Sequence, residues 1–240
     1  MYIRELISTA LSEPVDAGVG ALLGKPLISL RQTDRVRTSV ERHGASRAAL
    51  DKATTLMNEV FVSLRPSNVS RLGGARIRLH IIPHDKKLTD HAAFREWRTG
   101  PSKLFIDSQR ATYGLRSRSD SDIVYAIGEE QIVPSPGSPT NYHLGYLVSH
   151  NSGLVVAQFA LTSDQKKRLL QLFRERPATS LLGAVRASRP ETYFAEATAA
   201  FFGHPEHDAL RVHFTRASLA QNDPQMHALL SEIYDGATVV

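Results

Sequence analysis

Between residues 76 and 81, Arg76, Arg78 and His80 alternate with Ile77, Leu79 and Ile81. This run constrains the fold most, because a period of two is the mark of a strand with one face in a core and the other turned outward. Pro83, which cannot donate to a ladder, closes it. One strand cannot bury its apolar face alone, so the chain must supply partners. Lys103–Ile106 and Ile123–Ile127 read as further strands, separated by a polar loop rich in Arg and Ser.

Helical patterns flank this block. In Ser46–Leu64, Leu50, Ala53, Thr54, Met57, Val60, Phe61 and Leu64 recur at helical spacing, and Pro66 follows. Pro134–Pro139 is a turn-rich linker, after which the chain turns helical. Leu144, Leu147, Val148, Leu154 and Val155 line one face of a segment from Tyr142 to about Ala160. Thr162 with Gln165 has the spacing of a capping box for Ser163–Arg176, and Ser188 with Glu191 repeats it for Arg189–Phe202. A last helix is predicted over Asp223–Tyr234, and short helices over Tyr2–Leu11 and Asp90–Trp97. The stretch Asp16–Ser29 reads as loop, and Ser67–Gly74 as a boundary. The expected organisation is an N-terminal helical extension over residues 1–70 and an α+β domain over 71–240.

Hydrophobic residues at 42% and charged residues at 22% are near the globular average, so the 240 residues are expected to fold. The first thirty residues carry Arg4, Glu5, Glu13 and Asp16 and lack the basic start and apolar centre of a signal peptide. No membrane partner is expected, and the expected location is the cytoplasm or wherever a route other than Sec export delivers the chain. With no cysteine, disulfides and thiolate metal sites are excluded, which leaves His, Asp and Glu as strong ligands. A net charge of +5 suits an anionic partner, with basic clusters at Arg31, Arg35, Arg37, Arg42 and Arg47 and at Arg110, Arg116 and Arg118. Acidic residues interrupt the first cluster and neither carries interleaved aromatics for stacking bases, so a solvated basic face is the reading preferred to a nucleic-acid or anionic-polymer partner.

Three stretches resemble bacterial relatives of anthrax lethal factor, a zinc metallopeptidase family. They are IRLHIIPHDKKLTD (Ile77–Asp90), AIGEEQI (Ala126–Ile132) and SRPETYFAEATAAFFG (Ser188–Gly203), with the spacing from ALT (Ala160–Thr162) to the last also agreeing. The resemblance covers about residues 74–203. It implies a zincin-like fold, in which a small mixed sheet packs against an active-site helix and a second helix carrying a further metal ligand.

Such a site needs two histidines one helical turn apart, a glutamate between them as general base, and a third ligand from the second helix. The resemblance places the HExxH motif on His150, Asn151, Ser152, Gly153 and Leu154, the third ligand on Thr192, the oxyanion-stabilising tyrosine on Val185, and a ligand-orienting carboxylate on Glu196. Asn151 is not basic at neutral pH, Leu154 has no lone pair, and Thr192 is a poor zinc ligand. Of the metal ligands only His150 remains, and no cofactor is expected. The implied function is a degenerate peptidase that binds a protein or peptide in the former substrate cleft.

The alternative is an active zinc hydrolase with a rebuilt site using His150, Glu196 and one of His143, His204 or His207. Glu191 reads as a capping residue, and His204, Glu206, His207 and Asp208 as a solvated turn. The pair Glu129 and Glu130 has no visible third partner for acid/base work.

Overall fold

The computed structural model describes residues 28–32, 36–92, 94, 110, 115–116, 122–134, 144–176, 189–204 and 215–235. Among them the elements are β1 (Ile28–Gln32), β2 (Arg37–Glu41), α1 (Arg47–Val62), α2 (Pro66–Arg71), β3 (Arg76–Ile82), β4 (Leu115–Arg116), β5 (Ile123–Gly128), α3 (Tyr146–Val155), α4 (Ser163–Glu175), α5 (Pro190–Phe201), α6 (Arg216–Asn222) and α7 (Pro224–Tyr234). A π-helical turn, Val156–Ala160, extends α3.

The architecture is α+β. The sheet runs β1-β2-β3-β5-β4; β2, β3 and β5 are parallel, and β1 and β4 are antiparallel to their neighbours. Ile77, Leu79 and Ile81 of β3 and Ile123, Tyr125 and Ile127 of β5 enter one large core with α1, α3, α5 and α7. The period-two reading of β3 therefore holds for its apolar half. Its polar half differs from expectation, since His80 is only 3% exposed. On that far face Ile82, Val124 and Ala126 form a second small core with Leu88 and Phe94, so the segment after β3 covers the sheet.

The helices follow their end signals. Ser46 accepts the Ala49 N–H to start α1, and Thr162 and Gln165 form the expected reciprocal box at α4. Asp223 caps α7 through the Met226 N–H. Gly145, at φ +99°, begins α3 four residues later than the spacing suggested. Leu56 Cδ1 lies 2.7 Å from where a Cβ would sit there, so both the turn and the packing require glycine.

Some expectations need correction. Within the range 1–70, the described residues supply two strands of the sheet, and α1 buries Ala49, Leu50, Ala53, Met57, Val60 and Phe61 in the shared core. Ile28 and Ser29, read as loop, begin β1. At α5 the N-cap is Arg189 without a side-chain cap bond, which puts Glu191 at the second helical position. Pro190 at the first position sets that start, since its fixed φ is already helical. Ser188, Lys103–Ile106 and Tyr2–Leu11 lie outside the described residues. Leu88–Asp90 forms a 3-10 turn and Ala92 and Phe94 are 3-10 as well, while the rest of the helix expected to run to Trp97 lies outside the described residues. No helix among the described residues is long and apolar enough to cross a membrane.

Candidate functional site

Every residue of α3 is buried, although four consecutive ones, Ser149 to Ser152, are polar. Buried polar groups need partners, and α3 finds them on the elements around it. Ser152 Oγ and Tyr125 Oη are 3.0 Å apart, and Ser149 Oγ and His204 Nδ1 are 2.8 Å apart. Asn151 Oδ1 lies 3.2 Å from His150 Nδ1.

The opposite ring nitrogen of His150, Nε2, lies 3.4 Å from Oε1 of Glu196 on α5. Tyr146, one turn before His150, donates its hydroxyl to the same Oε1 at 2.7 Å. Glu196 is 5% exposed and its Oε2 has no hydrogen-bond partner among the described residues. The structure thus brings His150 and Glu196 together across two packed helices. Gly153 permits that closeness: a Cβ there would lie 2.8 Å from Thr198 Cβ and 3.0 Å from the Ala195 Cα.

Helical periodicity puts Leu154 on the His150 side of α3 and Thr192 on the Glu196 side of α5. Leu154 is 2% exposed and Thr192 half-buried. The donor chemistry does not fit the zinc ion that the resemblance implies, because an alkyl group and a hydroxyl stand where an imidazole and a carboxylate are needed. His204 is directed elsewhere, with Nδ1 on Ser149 and Nε2 3.9 Å from Glu59. Val185, His143, Glu206, His207 and Asp208 lie outside the described residues. Glu129 accepts the Ser46 N–H at 2.8 Å, and Glu130 pairs with Arg110 at 2.6 Å, so each acid has a structural partner. Within the basic clusters, Arg47 pairs with Asp51, and half-buried Arg110 pairs with Glu130.

A second constellation, on the far face of the sheet, escaped the sequence reading. His43, His80 and His91 direct one ring nitrogen each into a space where these atoms lie within 4.8 Å of one another. His80 is on β3, paired in register with Glu41 of β2. His43 follows in a turn with φ +42° at itself and +98° at Gly44, which folds its ring back over His80. His91 ends the segment that crosses this face, and its ring packs 5.7 Å from that of Phe94.

His43 Nε2 and His80 Nδ1 are 2.6 Å apart. Glu41 Oε2 stands 3.7 Å from the first and 3.6 Å from the second, while Oε1 accepts two bonds from Arg78. Burial, and then the neighbouring charges of His91, His43 and Arg78, hold His80 down to about 2. Burial foremost also lowers His91, to about 4, and His43. Burial thus disfavours the charged form of each ring, and at 2.6 Å one of His43 Nε2 and His80 Nδ1 carries the hydrogen they share, which a metal ion would displace. The available signal was Glu41-x-His43 at the end of one strand opposite a histidine in the next.

No protein-family profile matches the chain, and no curated protein matches it. Among solved structures it is similar to a Pro-Pro endopeptidase from Paenibacillus alvei, at 15% identity and a TM-score of 0.43, over 80% of this chain and 96% of that one.

Proposed function

We propose that the chain is a catalytically inactive relative of the lethal-factor type of metallopeptidase, acting as a binding module for a protein or peptide. The observation that carries this reading is the closed cluster of Tyr146, Glu196 and His150. The one imidazole at the motif position is engaged by a buried carboxylate, and Asn151, Leu154 and Thr192 supply neither a base nor two further ligands. A hydrolase needs those groups; recognition of an extended segment needs backbone donors and side-chain pockets. The sheet offers backbone at its outer strands, β1 and β4 among the described residues.

The test has two arms on the full chain. With zinc supplied, digestion of a diverse peptide library read by mass spectrometry should show no cleavage above a blank. Screening the same library for binding should yield extended peptides whose affinity is unchanged by a chelator and by His150→Ala. Zinc-dependent cleavage abolished by His150→Ala would overturn the reading.

A further inference from the structure

We propose that His43, His80, His91 and Glu41 form a binding site for one divalent transition-metal ion of the zinc class. The site lies on the opposite face of the sheet from α3 and α5 and is independent of the function proposed above.

The donors come from three separate places in the chain, β2 with its following turn, β3, and the segment closing over the far face. The hydrogen bond between His43 Nε2 and His80 Nδ1 joins two of the rings and does not by itself bring in the third. A shared cation explains the gathering. Zinc takes imidazole nitrogens at about 2.0–2.1 Å, which puts tetrahedral donors roughly 3.3 Å apart. The observed spacings bracket that value: 2.6 Å between His43 Nε2 and His80 Nδ1, 3.6 and 3.7 Å from these to Glu41 Oε2, and none among the three imidazoles above 4.8 Å.

Glu41 stands beside two of the three imidazoles, where it can serve as the fourth donor. Its Oε1 is anchored by Arg78 at 2.6 and 2.9 Å, which turns Oε2 toward the histidines. Arg78 is in turn balanced by Asp122 at 3.3 Å, so its charge does not face the site uncompensated. Such a charged support, fixing a ligand's orientation, is the usual surrounding of a metal ligand. Three nitrogens and one carboxylate suit zinc rather than magnesium or calcium, which take oxygen shells. His43 adds a further sign: a histidine with φ +42° is sparsely populated backbone, of the kind retained where a side chain must be aimed.

With four protein donors the site is closed and structural rather than hydrolytic. Its effect is to tie residues 83–92 to the sheet, where Leu88 and Phe94 already pack on Ile82, Val124 and Ala126.

The experiment uses the full chain, stripped with chelator and titrated with zinc and with cobalt(II). Expected are one equivalent bound, a raised thermal midpoint, and the intense visible absorption of tetrahedral cobalt. His91→Ala and Glu41→Gln should each weaken zinc, His91→Ala by about 100-fold or more, because a structural site's affinity is spread over few ligands. His150→Ala should leave it unchanged. X-ray absorption on the zinc form of the unsubstituted protein should show three imidazoles, a readout that needs no variant to fold. The proposal is overturned if no equivalent binds, if absorption shows fewer than two imidazoles, or if folded His91→Ala binds zinc as well as the natural chain. Loss of zinc on His150→Ala alone would instead overturn the function proposed for the helix site.

Discussion

Gly153 packs against Ala195 and Thr198 of α5, and its missing side chain lets α3 and α5 come that close. Gly153→Ala removes a helix-interior glycine, a gain of about 1 kcal/mol by propensity. The added Cβ meets the Ala195 backbone at 3.0 Å and Thr198 Cβ at 2.8 Å, and overpacking of this kind costs roughly 1–3 kcal/mol. The clash is expected to win, so the variant should unfold at lower denaturant than the natural protein; an equal or higher midpoint would mean the helices are not so close. Tyr146→Phe tests the neighbouring bond. Removing the hydroxyl takes from Glu196 Oε1 a 2.7 Å donor in a buried setting, and a hydrogen bond to a charged group contributes about 1.5–3 kcal/mol. Chemical denaturation should show a loss of that order, and an unchanged midpoint would argue that the carboxylate is solvated.

If α3 and α5 hold the positions of a metallopeptidase's two ligand helices, replacing the lost groups should rebuild a site between them. Asn151→Glu, Leu154→His and Thr192→Glu together are expected to give a zinc-dependent rise in melting temperature beyond that of the natural chain. To isolate this site the measurement is made in a His91→Ala background; no added shift there would mean residues 150, 154 and 192 do not share a centre. These two helices were legible in sequence because their ends are marked locally, by Gly203 after α5 and by the Thr162 and Gln165 box just beyond the α3 extension. The strands β3 and β5 were legible through their apolar residues. By contrast β2, Arg-Thr-Ser-Val-Glu, has no alternation, and in β1 it lasts only from Ile28 to Arg31, too short to mark a strand. Their strand character comes from pairing with each other and with β3, a tertiary effect that local pattern does not encode. The histidine cluster was hidden for the same reason: parallel pairing of β2 with β3 sets Glu41 beside His80, and residues 83–90 bring His91 back.

At the scale of the whole molecule, one continuous core joins the sheet to α1, α3, α5 and α7, and Tyr125, Tyr146, Tyr193 and Tyr234 sit within it. Burial foremost pushes the hydroxyls of Tyr125, Tyr193 and Tyr234 well above the usual tyrosine range. The unfolded chain ionises its tyrosines near pH 10 while the folded chain keeps these three protonated, so unfolding releases protons above that pH. Their contribution to stability is full below about pH 10 and lost as pH rises beyond it. Denaturation midpoints should fall between pH 9.5 and 11.5, and Tyr234→Phe should reduce the slope; a flat profile would contradict the burial. The two proposals give the faces of the sheet different roles, a degenerate peptidase site among the helices and a metal clip on the far side. Anomalous diffraction at the zinc edge, from crystals of the full chain grown with zinc, tests that division most directly. The account predicts a peak among His43, His80, His91 and Glu41 and none beside His150. A peak between His150 and Glu196 would contradict it.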